Sequence, residues 1–214
     1  IEGMRLLAGA PLNPAAAEAL DGATAAWSDM HAGPWLEARL NELRNAQTAD
    51  GLLPGGELHA TLRPYQEAGV RWLGFLTGLG LGACLADDMG LGKTIQVIAH
   101  ILTVRKKRPA GAAPAAPALV VMPASLLTNW KAELTRFAPS LAVRFIHPAL
   151  TEKDDLRRAA DDPERFLKGA DVALISYGML ARLEWPAAVE WSLAVLDEAQ
   201  AIKNPAARQT RAVK

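Results

Sequence analysis

Cysteine is nearly missing from this sequence. Cys84 is the single one among 214 residues, which excludes an internal disulfide framework and a multi-cysteine metal site. Long apolar runs are missing too: none reaches the roughly 18 residues needed to cross a bilayer. The opening stretch "IEGMRLLAGAPLNP" lacks a charged lead, a long apolar segment and a cleavage site in order, so it makes a poor secretory signal. Net charge is also absent, with 23 basic and 23 acidic side chains. No internal repeat is visible. What remains, half of it hydrophobic and about a fifth charged, has the profile of a soluble globular protein with one sizeable core. A reducing, cytoplasmic setting fits, and Cys84, inside the apolar run "GACLA", is expected to be a buried structural thiol.

The zero balance hides an asymmetry. Residues 1–57 carry eight acidic and three basic side chains, whereas residues 58–214 carry fifteen acidic and twenty basic. The larger part is therefore mildly basic, which is compatible with a polyanionic partner without demanding one. The Ala-rich "NPAAAEALDGATAAW" and "PWLEARLNELRNA" read as two helices in residues 13–47. "TADGLLPGGEL" then marks a linker. These features divide the chain into a helical N-terminal extension, 1–57, and a main domain, 58–214.

Within the main domain the hydrophobic period alternates. A helix is expected from Pro64 through "RPYQEAGVRWLGFLTGL", because proline suits a first helical turn. "GACLAD" (82–87) reads as a short strand, and "KTIQVIAHILTVRKK" as a helix with Ile95, Ile98, Ile101 and Leu102 at helical spacing. "RPAGAAPAAPA" (108–118) is a low-complexity surface connection. Strands are expected in "ALVVMP", "AVRFIHP", "DVALISY" and "SLAVLDEAQ", and helices in "SLLTNWKAELTRFA", where Ser125 is a candidate cap, and "DDPERFLKG" (161–169). Short apolar strands alternating with helices predict an α/β fold, a parallel sheet with helices on both faces.

The chemistry concentrates in two places. "LADDMGLGKTIQ" (85–96) ends like a phosphate-binding loop, although Asp87 stands where the pattern G-x-x-x-x-G-K-[ST] wants its first Gly. Its physical requirements survive. A strand is expected before the loop and an amphipathic helix after it, so backbone N–H groups from Asp88 and Met89 onward can face phosphate oxygens. Gly90 and Gly92, with Leu91 between them, allow close backbone approach. Lys93 can reach the outer phosphates of ATP, and the Thr94 hydroxyl can hold Mg2+. The second place is "VLDEAQ" (195–200), at the tip of another apolar strand. Asp197 suits a magnesium contact, and Glu198 is placed to orient or deprotonate an attacking water.

The stretches "LRPYQEAGVRWL", "LADDMGLGKTIQ", "VVMPASLLTNWKAEL", "ISYGML" and "LDEAQAIKN" occur in the order of the motifs of the SWI/SNF-type ATPases. Residues 60–205 resemble the first RecA-like lobe of these helicase-related, superfamily-two DNA translocases. Asp-Asp-Met before Gly-Leu-Gly-Lys-Thr is itself typical of the family, and "DEAQ" is similar to its bacterial branch. The resemblance implies that Gln66 reads the adenine edge, that Lys93, Asp197 and Glu198 serve catalysis, that Thr94 and Asp197 hold the metal, and that Gln200 couples the ATP site to an opposite lobe. It also implies duplex DNA as partner, contacted at the backbone near Ser125 and by Ser176 and Tyr177, with Lys203 and Asn204 continuing the family pattern. RNA polymerase, a repair complex or bare DNA are the partners to be considered.

Bland readings stand beside these. Trp130 could stack on a base, but its helical spacing favours a core role. "RKKR" (105–108) could be a DNA patch, yet cations also suit a helix end. The chain ends at Lys214, before the family's Ser/Thr-Gly-Thr-Pro-like motif and the second lobe that supplies arginines to the transition state. Such an arginine is worth on the order of a thousandfold in rate, so these 214 residues alone are expected to bind nucleotide weakly with little turnover. Two other functions compete: a docking or regulatory module with an idle ATP site, and an RNA helicase of the same superfamily, which "DDMGLGKT" and "DEAQ" together disfavour.

Overall fold

Strand-forming runs bounded by helices set the architecture. The structure, a computed structural model, describes residues 53–88, 90–107 and 116–213, all within one compact unit. The two helices expected in 13–47 lie outside the described residues. The elements in order are α1 (Pro64–Gly78), α2 (Lys93–Lys106), β1 (Ala118–Met122), α3 (Leu127–Phe137), β2 (Val143–Ile146), α4 (Lys153–Asp161), α5 (Pro163–Leu167), β3 (Val172–Ser176), α6 (Tyr177–Leu180), β4 (Leu193–Leu196) and α7 (Arg208–Val213).

The four strands form one sheet in the order β2-β3-β1-β4, and every pairing is parallel. Each crossover between parallel strands needs a long connection, which the intervening helices supply. The central strands β1 and β3 are buried at every residue, as continuous apolar runs in a sheet covered on both faces should be. Alternation splits their side chains between two cores. Ala118, Val120 and Met122 pack with Ile98, Leu102, Trp130 and Leu134 of α2 and α3. Leu119, Val121, Ala173 and Ile175 face the other way, onto Ala159, Leu167 and Tyr177.

Three expectations need correction. Residues 82–87 are not in a strand: among the described residues β4 pairs on one side only, with β1, and "GACLAD" has no ladder partner. Cys84 is therefore exposed rather than buried, because no sheet neighbour covers it. The helix expected at 161–169 is the shorter α5, and α4 directly before it has no counterpart among the expected elements. Asp162 ends α4 and caps α5, accepting a 3.0 Å hydrogen bond from the Arg165 N–H, with Pro163 in the first turn of α5.

Residues 53–57, the described end of the stretch read as linker, pack with the lobe. Leu53 packs against the core and Leu58 is buried in it. Glu57 pairs with Arg105 at 3.2 Å. Arg105 also reaches Asp171 at 3.1 Å and the Ser140 carbonyl at 2.7 Å. The first cation of "RKKR" is thus spent on folding, while Lys106 and Lys107 remain exposed.

Candidate ATP and metal site

In a parallel sheet the carboxyl ends of the strands open together, and ligands bind outside them. Register places Met122 of β1 beside Ser176 of β3, and Val121 beside Leu196 of β4. The segments carrying Ser125, Ser176–Tyr177 and Asp197–Glu198 therefore leave the sheet at one edge.

The acidic tip is rigidly built. The Asp197 N–H extends the ladder to the Val121 carbonyl at 2.8 Å. Its Oδ1 accepts from the Glu198 N–H at 2.9 Å, and its Oδ2 accepts from the Trp130 indole N–H at 2.8 Å. Glu198 has φ 50°, the only positive φ outside glycine among the described residues. Left-handed backbone at a non-glycine residue is strained and tends to occur where function requires it. The exposed Gln200 donates a hydrogen bond from its amide to the Glu198 carboxylate. Around this tip, burial raises the Glu133 carboxyl pKa and the Asp197 charge adds to the effect, against Arg136. The Tyr177 hydroxyl, donating to the Asp197 carbonyl at 2.8 Å, is pushed up to about 12 by burial, then by the Asp197 and Glu198 carboxylates.

The glycine loop is closed on itself. Lys93 donates to the Asp87 and Asp88 carbonyls at 2.7 and 3.1 Å. Gly92 caps α2 with φ 77°, and Gly90 has φ 83°. Gln66 accepts from the Arg63 N–H at 2.9 Å and donates to the Leu91 carbonyl at 3.0 Å. Tyr65 donates to the same carbonyl at 3.2 Å. Gln66 is thus clamped between the start of α1 and the loop, a role its sequence did not announce. Met89 lies outside the described residues. The unexpected Asp87 has a partner of its own, the fully buried Gln96, whose amide donates to it at 2.9 Å.

Loop and tip share a core. Ile95, the residue after Thr94, belongs to the same apolar cluster as Trp130 and Val195. The donor set suits a hard cation such as Mg2+, which takes oxygen ligands, commonly one or two carboxylates completed by phosphates and water. Each Asp197 oxygen keeps acceptor capacity beyond its one hydrogen bond, and Thr94 is half-buried in the first turn of α2. Among the described residues no cluster of three or more His, Cys, Asp or Glu could hold a metal by itself, so the fit is to a nucleotide-borne cation. Thr94 and Asp197 are the residues that would share it with the phosphates, while the Lys93 ammonium, a donor only, would meet the phosphate oxygens themselves and Glu198 would stand beside them.

The DNA candidates separate. Ser125 is exposed in a 3-10 turn before α3 and caps neither element, so its hydroxyl faces outward. Ser176 and Tyr177 are buried, at 3% and 2% exposure. Ser176 caps α6, accepting from the Met179 N–H at 3.2 Å. A phosphate contact by that segment would have to use its backbone. Trp130 is 2% exposed, a core residue as its spacing indicated. Its bond to Asp197 had no sequence signal.

A family model for the SNF2-related domain matches residues 65–214. The chain belongs to the SNF2 family. It is 42% identical over 184 residues to YwqA of Bacillus subtilis, a protein named as an ATP-dependent helicase/translocase, covering 84% of this chain and 19% of YwqA. It is 39% identical over 148 residues to the chromatin-remodeling ATPase INO80 of Arabidopsis thaliana, covering 67% of this chain and 10% of INO80. The Sulfolobus solfataricus SWI2/SNF2 ATPase core in complex with dsDNA superposes with TM-score 0.59 at 39% identity, over 73% of this chain and 30% of that one. The described fold is therefore the RecA-like fold of an SNF2 ATPase lobe, and this chain spans under a third of each of these relatives.

Proposed function

We propose that this SNF2 lobe binds ATP with Mg2+ and contributes to a motor that hydrolyses ATP while translocating on double-stranded DNA. The observation that carries the reading is the common core beneath the Lys93 loop and the Asp197–Glu198 tip. Loop N–H groups and Lys93 hold the phosphates, the lysine exchanging two carbonyl partners for anionic oxygens. Thr94 and Asp197 hold the magnesium ion. Bound there, it neutralises charge developing on the transferred phosphoryl group. Glu198 orients the attacking water and takes its proton. Gln200, on the Glu198 carboxylate, reports the state of the site outward. Ser125 and the N–H groups of its turn contact a DNA phosphate, positioning the strand without reading sequence.

The relatives are several times longer, so the test uses this chain and a form extended to their length. ATP hydrolysis is followed with duplex DNA, single-stranded DNA or RNA. Duplex-stimulated turnover in the extended form, lost in Lys93→Ala, supports the reading. Stimulation by RNA instead, or indifference to duplex, would leave the family standing and reject duplex translocation.

A further inference from the structure

An indole offers one donor and no acceptor, and a buried tryptophan N–H needs a partner. The Trp130 ring is packed in the apolar cluster between α2, α3 and the sheet. Its N–H reaches out of that cluster to the Asp197 Oδ2 at 2.8 Å. The opposite oxygen is held by the Glu198 N–H at 2.9 Å, and the Asp197 carbonyl by the Tyr177 hydroxyl at 2.8 Å. Two donors, one on each oxygen, fix the plane of the carboxylate and aim its remaining lone pairs. One of them is backbone and follows β4. The other rides on α3, one turn beyond the outward-facing Ser125.

We propose that Trp130 is a positioning residue: its indole N–H orients the Asp197 carboxylate toward the nucleotide-borne metal, tying metal affinity to the placement of α3. This rests on the ATP-site reading above. A buried donor behind a ligating carboxylate tunes that ligand without touching the metal, and losing such a partner costs roughly tenfold or more in metal affinity. A ring that merely fills space would have no such effect.

Trp130→Phe keeps an aromatic ring at the position, smaller than the indole, and deletes the N–H. Binding of a fluorescent ADP analogue to this chain is titrated in EDTA and then with Mg2+. The expected result is an unchanged affinity in EDTA and roughly a tenfold higher Mg2+ concentration at half effect. In an Asp197→Ala background the same substitution should do nothing more. Equal Mg2+ dependence in wild type and Trp130→Phe, or additive effects in the double variant, would overturn the proposal. If Trp130→Phe does not fold, the wild-type chain decides by NMR. One indole N–H resonance should move both on Asp197→Ala and on adding Mg2+ with ADP, and its failure to move would also overturn the proposal. If the wild-type chain binds the analogue with no metal dependence at all, the ATP-site reading falls and takes this proposal with it.

Discussion

The Gln96 amide donates a 2.9 Å hydrogen bond to the Asp87 carboxylate, the very residue that occupies the place of the usual first glycine. Gln96 is fully buried, and its own carbonyl oxygen finds no donor among the described residues. The bond to Asp87 is therefore a main stabilising contact of a polar group that burial makes costly. Asp87→Gly, which restores the literal phosphate-loop pattern, should weaken the protein rather than improve it. The expected loss is about 1–3 kcal/mol, the usual cost of leaving a buried partner unsatisfied, read as a lower urea midpoint with an unchanged slope.

The strain at Glu198 gives a second expectation. A non-glycine residue at φ 50° costs on the order of 1–2 kcal/mol relative to ordinary backbone. Glu198→Gly should thus melt at a higher denaturant concentration than Glu198→Ala, by about 1 kcal/mol. In the form extended to the relatives' length, both variants should lose ATP hydrolysis alike, since both lack the carboxylate proposed to orient the attacking water. Equal stability of the two would show that the backbone, not the side chain, is relaxed at this position.

Much of this was legible in the sequence, for identifiable reasons. The central strands β1 and β3 are continuous apolar runs, and burial on both faces writes itself into composition. Lys93 and Thr94 open α2 after Gly92, and Asp197 and Glu198 follow the end of β4, positions that a glycine before a helix and acids after an apolar run announce locally. What escaped depends on partners distant in the chain. "GACLAD" has the composition of a strand, but a strand needs a neighbour, and among the described residues it has none. Cys84 inherited that error. Tyr177 looked like a surface group of a DNA motif, yet β3 and β4, parallel through β1, bring it beneath the Asp197 carbonyl. Trp130 was readable as core by its spacing, while the direction of its single polar atom was not.

Burial pushes His100 down to about 4 from an ordinary 6.5, and Lys107 pushes the same way. The ring is 3% exposed, with its Nε2 3.4 Å from the Thr77 hydroxyl. Between pH 6.5 and 4 the unfolded chain binds a proton that the folded chain refuses, so stability falls as pH falls through this window. The full contribution is on the order of 3 kcal/mol. His100→Leu should flatten the slope of unfolding free energy against pH there, leaving the carboxylate-driven loss at lower pH in place. An unchanged slope would move the cause to other groups.

Gly92 and Gly90 both have positive φ, 77° and 83°, but their surroundings differ. A Cβ at Gly90 would meet nothing within 4 Å, whereas one at Gly92 would lie 2.6 Å from the Gln66 amide nitrogen and 3.2 Å from Ile95 Cγ2. Gly90→Ala should therefore cost only the left-handed backbone term, about 1 kcal/mol. Gly92→Ala must also push Gln66 off the Leu91 carbonyl, raising the loss to about 2–3 kcal/mol. Because the added cost runs through one side chain, it should be non-additive with Gln66→Ala. In that background Gly92→Ala should cost little more than Gly90→Ala by urea denaturation. If the two alanines differ as much without Gln66 as with it, the clamp between α1 and the loop is not what makes Gly92 the tighter position.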